Sequence, residues 1–401
     1  MVKHYTHQIP AITNGNANLI TVNGGITATA FTGGSGTWAN VGGADIALSG
    51  GSVVTGLSQS ITTGSQDLSI DVTSFVEEWI SESNYKNYGF LVKITDAFEA
   101  LNTTPTSVEP TNSVGVSASF YTKHFHSRTS DKVFSRPAIE AQWDNSKADN
   151  RANFYYSSSL APAADNLNKL FLYNKIRGNF KDIPNLEGNT LSVSLYSVSG
   201  ATPGDGRELT IVGGASSTVA TAGKDSTGIY SCSLGLVSGA YETIYDVWFT
   251  GSTVLYRGTF TPKEFSADDY YGDRKYIFKI RNGKTFYNIT DSQRLHLYTR
   301  AKNTTPNIFT VSQNTSQVTI LPDIFYRVVR TYDDLVVVPF GTGSNKHTKL
   351  SYDASGSYFD FDFGNLQKDF EYKFEFTYYE DYASDYIMHP YSFKFRTIEW
   401  V

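Results

Sequence analysis

The sequence predicts an all-β protein built as serial sandwiches, on three observations. The first is composition: 27 Tyr, 26 Phe and 33 Gly among 401 residues, with Ser and Thr abundant and few of the straight-chain residues that fill exposed helix faces. The second is alternation. Phe370, Tyr372, Phe374, Phe376 and Tyr378 occupy every second position with Lys373 and Glu375 among the residues between, the period of a strand that buries one face. The third is a repeated turn: the Asp-x-x-Gly-x-Tyr of Asp225, Gly228 and Tyr230 returns 128 positions later as Asp353, Gly356 and Tyr358. In each copy Asp closes a side-chain turn, Gly supplies positive φ where the chain reverses, and Tyr opens the outgoing strand with its ring on the apolar face.

Taken in order, residues 1–70 read as short strands such as Leu19-Ile20-Thr21-Val22 and Ile46-Ala47-Leu48, punctuated by Gly pairs. One helix follows. Ser74 and Glu77 form a capping-box pair, and Phe75, Val76, Trp79 and Ile80 fall at i+3 and i+4 spacings on one face. Strands are expected over 88–94, 119–122 and 138–143. The polar run 144–151 ends the first core and sets a boundary near 147; a second composition break, 266–273, sets the next. Between them Lys169-Leu170-Phe171-Leu172-Tyr173 opens a module, 191–195 alternates cleanly, and 245–249 with 254–256 reads as a hairpin.

The last third repeats this plan. Leu295-His296-Leu297-Tyr298 answers Leu170-Phe171-Leu172-Tyr173 at an offset of 125, and a strand at 391–395 returns to pair with 370–378. Two copies, each with several short strands and a late turn, fit an immunoglobulin-like sandwich. Tyr230 stands two residues before Cys232, the place of the tyrosine corner in that fold, without a partner cysteine. The expected organisation is thus 1–146, then sandwiches at 147–266 and 267–401, the last a repeat of the second.

The totals narrow the role. A net charge of −6, with no block of Lys or Arg, disfavours nucleic acid. One cysteine, Cys232, allows no intrachain disulfide and reads as a small buried hydrophobe in a reducing compartment. Neither a signal-peptide core nor a run of about 18 apolar residues is present, so no membrane insertion is expected and synthesis is placed in the cytosol. Asn-x-Ser/Thr matches at Asn102, Asn288, Asn303 and Asn314 are then by-products of composition.

Four submotifs in fixed order carry a resemblance: Asp71-Val72-Thr73-Ser74-Phe75-Val76-Glu77-Glu78-Trp79, Gly89-Phe90-Leu91-Val92-Lys93, Phe120-Tyr121-Thr122-Lys123 and Arg136-Pro137-Ala138-Ile139-Glu140. Over residues 38 to 145 the chain resembles the C-terminal half of the DNRLRE-type jelly-roll domain, found as carbohydrate-binding-like modules on bacterial surface proteins and in virion proteins of marine tailed phages. The resemblance implies an abbreviated jelly-roll sandwich with one short helix before the two immunoglobulin-like sandwiches. The family's N-terminal half has no counterpart, so either the first sheet is abbreviated or a neighbouring subunit completes it. With the Tyr-rich sandwiches behind it, the chain as a whole resembles virion structural proteins of such phages. That implies a non-enzymatic particle component, with other virion proteins and further copies of itself as partners; the alternative is an adhesin for host-surface glycans.

Chemical motifs are few. His124 and His126 lie two apart on an expected strand, compatible with a metal pair, yet no Cys or acidic residue is placed to join them, and a solvated face is favoured. Acidic runs at Asp268-Asp269, Asp273 and Glu380-Asp381 follow no calcium-loop signature. There is no nucleophile elbow, phosphate loop, dinucleotide turn or zinc spacing, and neither cofactor nor metal is expected. Trp38, Trp143, Trp248 and Tyr379 could offer sugars a stacking platform, with core packing the favoured reading.

Overall fold

The computed structural model describes residues 3–5, 18–22, 27–29, 57–60, 66–81, 90–94, 113, 125–159, 162, 166–237, 239–264, 275–302, 318–380 and 383–399; for 3–5, 18–22, 27–29, 57–58, 75, 78–79, 90–94 and 187 the description covers backbone alone. The expected strands at 46–48 and 119–122, the break at 266–273, Trp38 and His124 lie outside the described residues. The chain divides into two compact units, Tyr5–Ile139 and Glu140–Val401 with Met1–His4.

Strand β1 (Lys3–Tyr5) opens the chain. In the smaller unit β2 (Asn18–Val22), β3 (Thr27–Thr29), β4 (Leu57–Ser58) and β5 (Phe90–Ile94) form one sheet in the order β4-β3-β2-β5, antiparallel except for the parallel β2–β5 pair. The helix α1 spans Thr73–Ser81. Its start corrects the sequence reading. The Asp71 carboxylate accepts from the Thr73 N–H at 2.9 Å and from the Thr73 hydroxyl, and the first helical bond runs from Val76 N–H to Val72 O. These bonds hold the Asp71 carboxyl below its usual pKa. Ser74 and Glu77 therefore stand inside the helix, because a short carboxylate just upstream reaches the free N–H groups first. Ile80, expected on the apolar face, is 77% exposed; the side chains of Phe75 and Trp79 lie outside the described residues.

β6 (Ile139–Ala141) pairs with β1. Beyond it the strands fall into two groups. The first holds β7 (Asn168–Tyr173), a short hairpin β8 (Lys175–Ile176) and β9 (Asn179–Phe180), β10 (Thr190–Tyr196), β11 (Ile211–Val212), β12 (Ala220–Ser226), β13 (Ile229–Leu236), β14 (Ile244–Thr250) and β15 (Thr253–Phe260). The order is β11-β13-β12-β10-β14-β15, with β7 on β13. Strand β12 begins against β10 and ends against β13, so it links what would otherwise be two sheets. The core between them holds Phe154, Leu170, Leu172, Val193, Leu195, Tyr230, Cys232, Leu234, Trp248 and Phe260. Alternation sends Tyr196, Val247 and Phe249 to a smaller cluster on the other face.

The second group has two separate sheets. β16 (Tyr276–Ile280), β18 (Ser292–Ala301), β22 (Gly356–Asp362) and β21 (Ser351–Asp353) form one, in that order. β17 (Phe286–Asn288), β25 (Phe393–Ile398), β23 (Glu371–Glu380), β19 (Ile324–Arg330) and β20 (Val336–Val338) form the other, with β24 (Asp385–Met388) on β23. Read in chain order these are the ABED and GFCC′ sheets of an immunoglobulin-like sandwich, with β17 pairing parallel to the last strand. The first group keeps the same central pairs: β7 with β13, β10 with β14, and β14 with β15. It also keeps the parallel return, since Tyr155 bridges Lys263 beyond β15.

The predicted aromatic strand is β23. Tyr372, Phe374, Phe376 and Tyr378 are buried and meet Tyr326, Phe359, Phe361 and Phe395 edge-on or offset, the arrangements aromatic quadrupoles favour.

Candidate interaction site at the sandwich junction

The repeated motif builds two different turns. In the second copy Asp353 pairs with Gly356, leaving Ala354 and Ser355 as a two-residue loop, and the Asp353 carboxylate accepts from the Ser355 N–H at 2.7 Å. In the first copy Ser226 pairs with Ile229, so Thr227 and Gly228 form the loop and β12 carries a bulge at Lys224 to Ser226. Asp225 is then free of the turn and pairs with Lys147 and Lys169 instead. Asp182 takes over the capping, accepting from the Gly228 N–H at 2.8 Å.

One residue of offset reverses the tyrosines. Tyr230 stands opposite Leu172 in the core, its hydroxyl accepting from the Ile183 N–H at 3.0 Å. Tyr358 stands opposite His296 on the outward face, while its neighbours Phe359 and Phe361 point into the core. The expectation that each Tyr faces its core therefore holds for Tyr230 and fails for Tyr358, since shifting a strand by one residue exchanges its faces. Tyr358 is nevertheless only 3% exposed, because the other sandwich covers it: its hydroxyl lies 3.4 Å from that of Tyr173. The Arg294 guanidinium sits 4.3 Å above the Tyr358 ring and grips Asp360 through two bonds. Burial raises the pKa of both phenols, so they join as neutral hydroxyls.

The junction also uses the segment expected to be a solvated linker. Lys147 N–H donates to the Ser351 hydroxyl and Lys147 O accepts from Tyr352 N–H, Asp149 N–H donates to Tyr352 O, and the Asn150 amide reaches the Tyr352 hydroxyl at 3.1 Å. Residues 147–149 thus run alongside β21, with Ala148 bridging Tyr352 in parallel, and a single 3-10 turn begins at Asn150. Just beyond Asn150, Arg151 enters the first sandwich. It donates to Asp149 and to Asp246, each at 2.6 Å, and to Phe171 O, and its guanidinium lies over the rings of Trp248 and Tyr256. Asp246 is fully buried and also accepts from the Trp248 indole N–H at 2.7 Å. Gly258 makes room, since a Cβ there would collide with the Asp246 carboxylate.

Two carboxylates face one guanidinium, so the cluster holds an uncompensated negative charge when both are ionised. Asp149 bears the consequence: burial, opposed by Arg151 and reinforced by Asp246, pushes its pKa up to about 6. The sequence carried no signal for this cluster, because its members look like a polar linker and one outward strand residue.

Other predicted residues are placed as follows. Trp248 is buried and held by Asp246, which removes it as a sugar platform; Trp143 is 42% and Tyr379 38% exposed. His126 lies in a loop rather than a strand, with Nδ1 3.2 Å from the Ser130 hydroxyl. Cys232 is buried, its thiol pushed up to about 12 by desolvation. Among the described residues no group of three or more His, Cys, Asp and Glu could hold a metal ion, and no described helix is long and apolar enough to cross a membrane.

No protein-family model matches the chain, and no curated protein matches it. Solved structures give faint likenesses. Salmonella α2-macroglobulin reacted with methylamine is 10% identical with a TM-score of 0.18, over 65% of this chain and 16% of that one. The tandem Ig repeats of Dlar are 9% identical with a TM-score of 0.16, over 52% and 84%, and the Ig1-2 module of the Drosophila receptor phosphatase DLAR is 8% identical with a TM-score of 0.16, over 58% and 90%. The chain is thus all-β with immunoglobulin-like sandwiches, a conclusion that rests on its own strand order.

Proposed function

We propose that the chain is a non-enzymatic structural component of a tailed-phage virion, in tail, neck, baseplate or capsid decoration, and that it works through protein–protein interfaces. The junction is the observation that supports this reading. A flexible tether would let two sandwiches swing, whereas residues 147–149 run alongside β21 and Tyr358 is buried against Tyr173. The two sandwiches thereby act as one stiff connector, the property a particle component needs to transmit position. In the second sandwich, β24 presents Tyr386, Ile387 and Met388 on an edge strand, where unpaired backbone invites another chain. Mass spectrometry of purified particles from the lysate in which the chain is made will find it in multiple copies per particle; particles that lack it would overturn the proposal.

A further inference from the structure

The outward face of β16 and β18 is rich in cations. Register and burial assign the sides: Phe278, Leu295 and Leu297 are buried toward the core, so Lys279, Tyr298, His296 and Arg300 face out. Arg281 N–H bonds to His296 O and Lys302 N–H to Lys275 O, which extends the ladder to Lys275 and Lys302 at one end and to Arg281 at the other. The outward positions of the two strands and their extensions therefore hold Lys275, Lys279, Arg281, Arg294, Arg300 and Lys302 with His296, beside the uncharged Ile277, Ser292 and Tyr298, and no acidic residue. Lys275, Lys279, Arg281 and Lys302 are exposed. On the adjoining strand, Asp360 is gripped by Arg294. In a chain of net charge −6 such a concentration is not what composition supplies by default.

Shape and chemistry select the occupant. From Arg294 to Lys302 the stripe is about 27 Å long at roughly 3.4 Å per residue, and only two strands wide. A protein partner would want a broad patch with an apolar centre depleted of Lys. Single-stranded nucleic acid would want bare rings on which bases stack. Here Arg281 lies over Tyr298 at 5.0 Å and Arg294 over Tyr358, so the rings are taken. A long, narrow, cationic track without stacking platforms suits a linear polyanion that carries its charge on sugars. We propose that the outward face of β16 and β18 binds an acidic polysaccharide, carboxylated or sulfated. This is independent of the virion reading and survives its failure.

The test uses the full chain and fluorescence anisotropy with labelled alginate and heparin oligosaccharides, beside labelled neutral dextran and oligo-dT. Wild type should bind at least one acidic oligosaccharide, with affinity falling steeply as salt rises, and should bind dextran and oligo-dT at least tenfold more weakly. The triple variant Lys279→Glu, Arg300→Glu, Lys302→Glu should lose at least tenfold in affinity. The control Lys368→Glu, Lys394→Glu, which reverses exposed cations elsewhere in the same sandwich, should stay within twofold, with both variants shown to be folded by circular dichroism. No binding of either acidic oligosaccharide, equal loss in both variants, or oligo-dT bound as tightly as the sugars would each overturn the assignment.

Discussion

Arg151 shows how a single side chain can hold together parts that are distant in sequence. Its partner Asp246 is 95 positions away and fully buried, and the guanidinium has only 8% side-chain exposure. Removing it strands two carboxylates among apolar rings, and breaking a buried pair from one side costs about 3–5 kcal/mol. Arg151→Met should therefore lower the unfolding free energy from urea titration by that amount; a loss within about 0.5 kcal/mol, the scale of a surface substitution, would mean that the cluster contributes little. Asp149 adds a pH dependence of defined sign. Its folded pKa of about 6 lies above the ordinary carboxyl value of 3.8, so the folded state holds the proton more tightly. Its contribution is fully present below about pH 4 and is lost as pH rises through about 6. Asp149→Asn imitates the protonated form, so the variant should gain on wild type by about 1–3 kcal/mol between pH 4.5 and pH 7.5. Urea titrations of both proteins at both pH values measure it, and an unchanged difference would place the Asp149 pKa near its unfolded value.

At the level of elements, strands were the most legible part. Alternation is a local property, so the runs that became β7, β10, β14, β15 and β23 could be read directly. The turns were recognised but not their offset. A two-residue loop can sit at either of two places within Asp-x-x-Gly-x-Tyr, and the decision is made by Asp182, Asn174 and Lys181, which lie far from the motif in sequence. The helix start failed for a related reason, two capping solutions competing within four residues. The two glycines separate as a result. At Gly228 φ is +69° and a Cβ would come within 2.7 Å of Asn174 O and Lys181 N; at Gly356 φ is +127° but the nearest contacts are 3.6 Å. Gly356→Val carries backbone strain of about 1–3 kcal/mol. Gly228→Val adds a collision with backbone that cannot move aside, and should cost clearly more in the same thermal melt. Equal losses would argue that the collision is relieved cheaply.

Across the whole molecule, the sandwich plan was readable because each copy repeats its strands, whereas the coupling between copies was not. Residues 144–151 have linker composition, and nothing local reveals that Asp149 is buried or that Tyr352 waits across the junction. A boundary drawn from composition near 147 falls inside the segment that bonds the two sandwiches together. That placement has a thermodynamic consequence. If residues 147–149 are shared backbone structure, neither sandwich can unfold without exposing bonds and rings of the other, and the two should melt together. A protein beginning at Glu140 should give a single calorimetric transition with matching calorimetric and van't Hoff enthalpies. Ser351→Ala with Tyr352→Phe removes the acceptors of Lys147 N–H and the Asn150 amide without touching either core. It should broaden that transition or split it in two. Two well-separated transitions already present in the unsubstituted protein would show that the sandwiches fold independently and that the junction is only a contact.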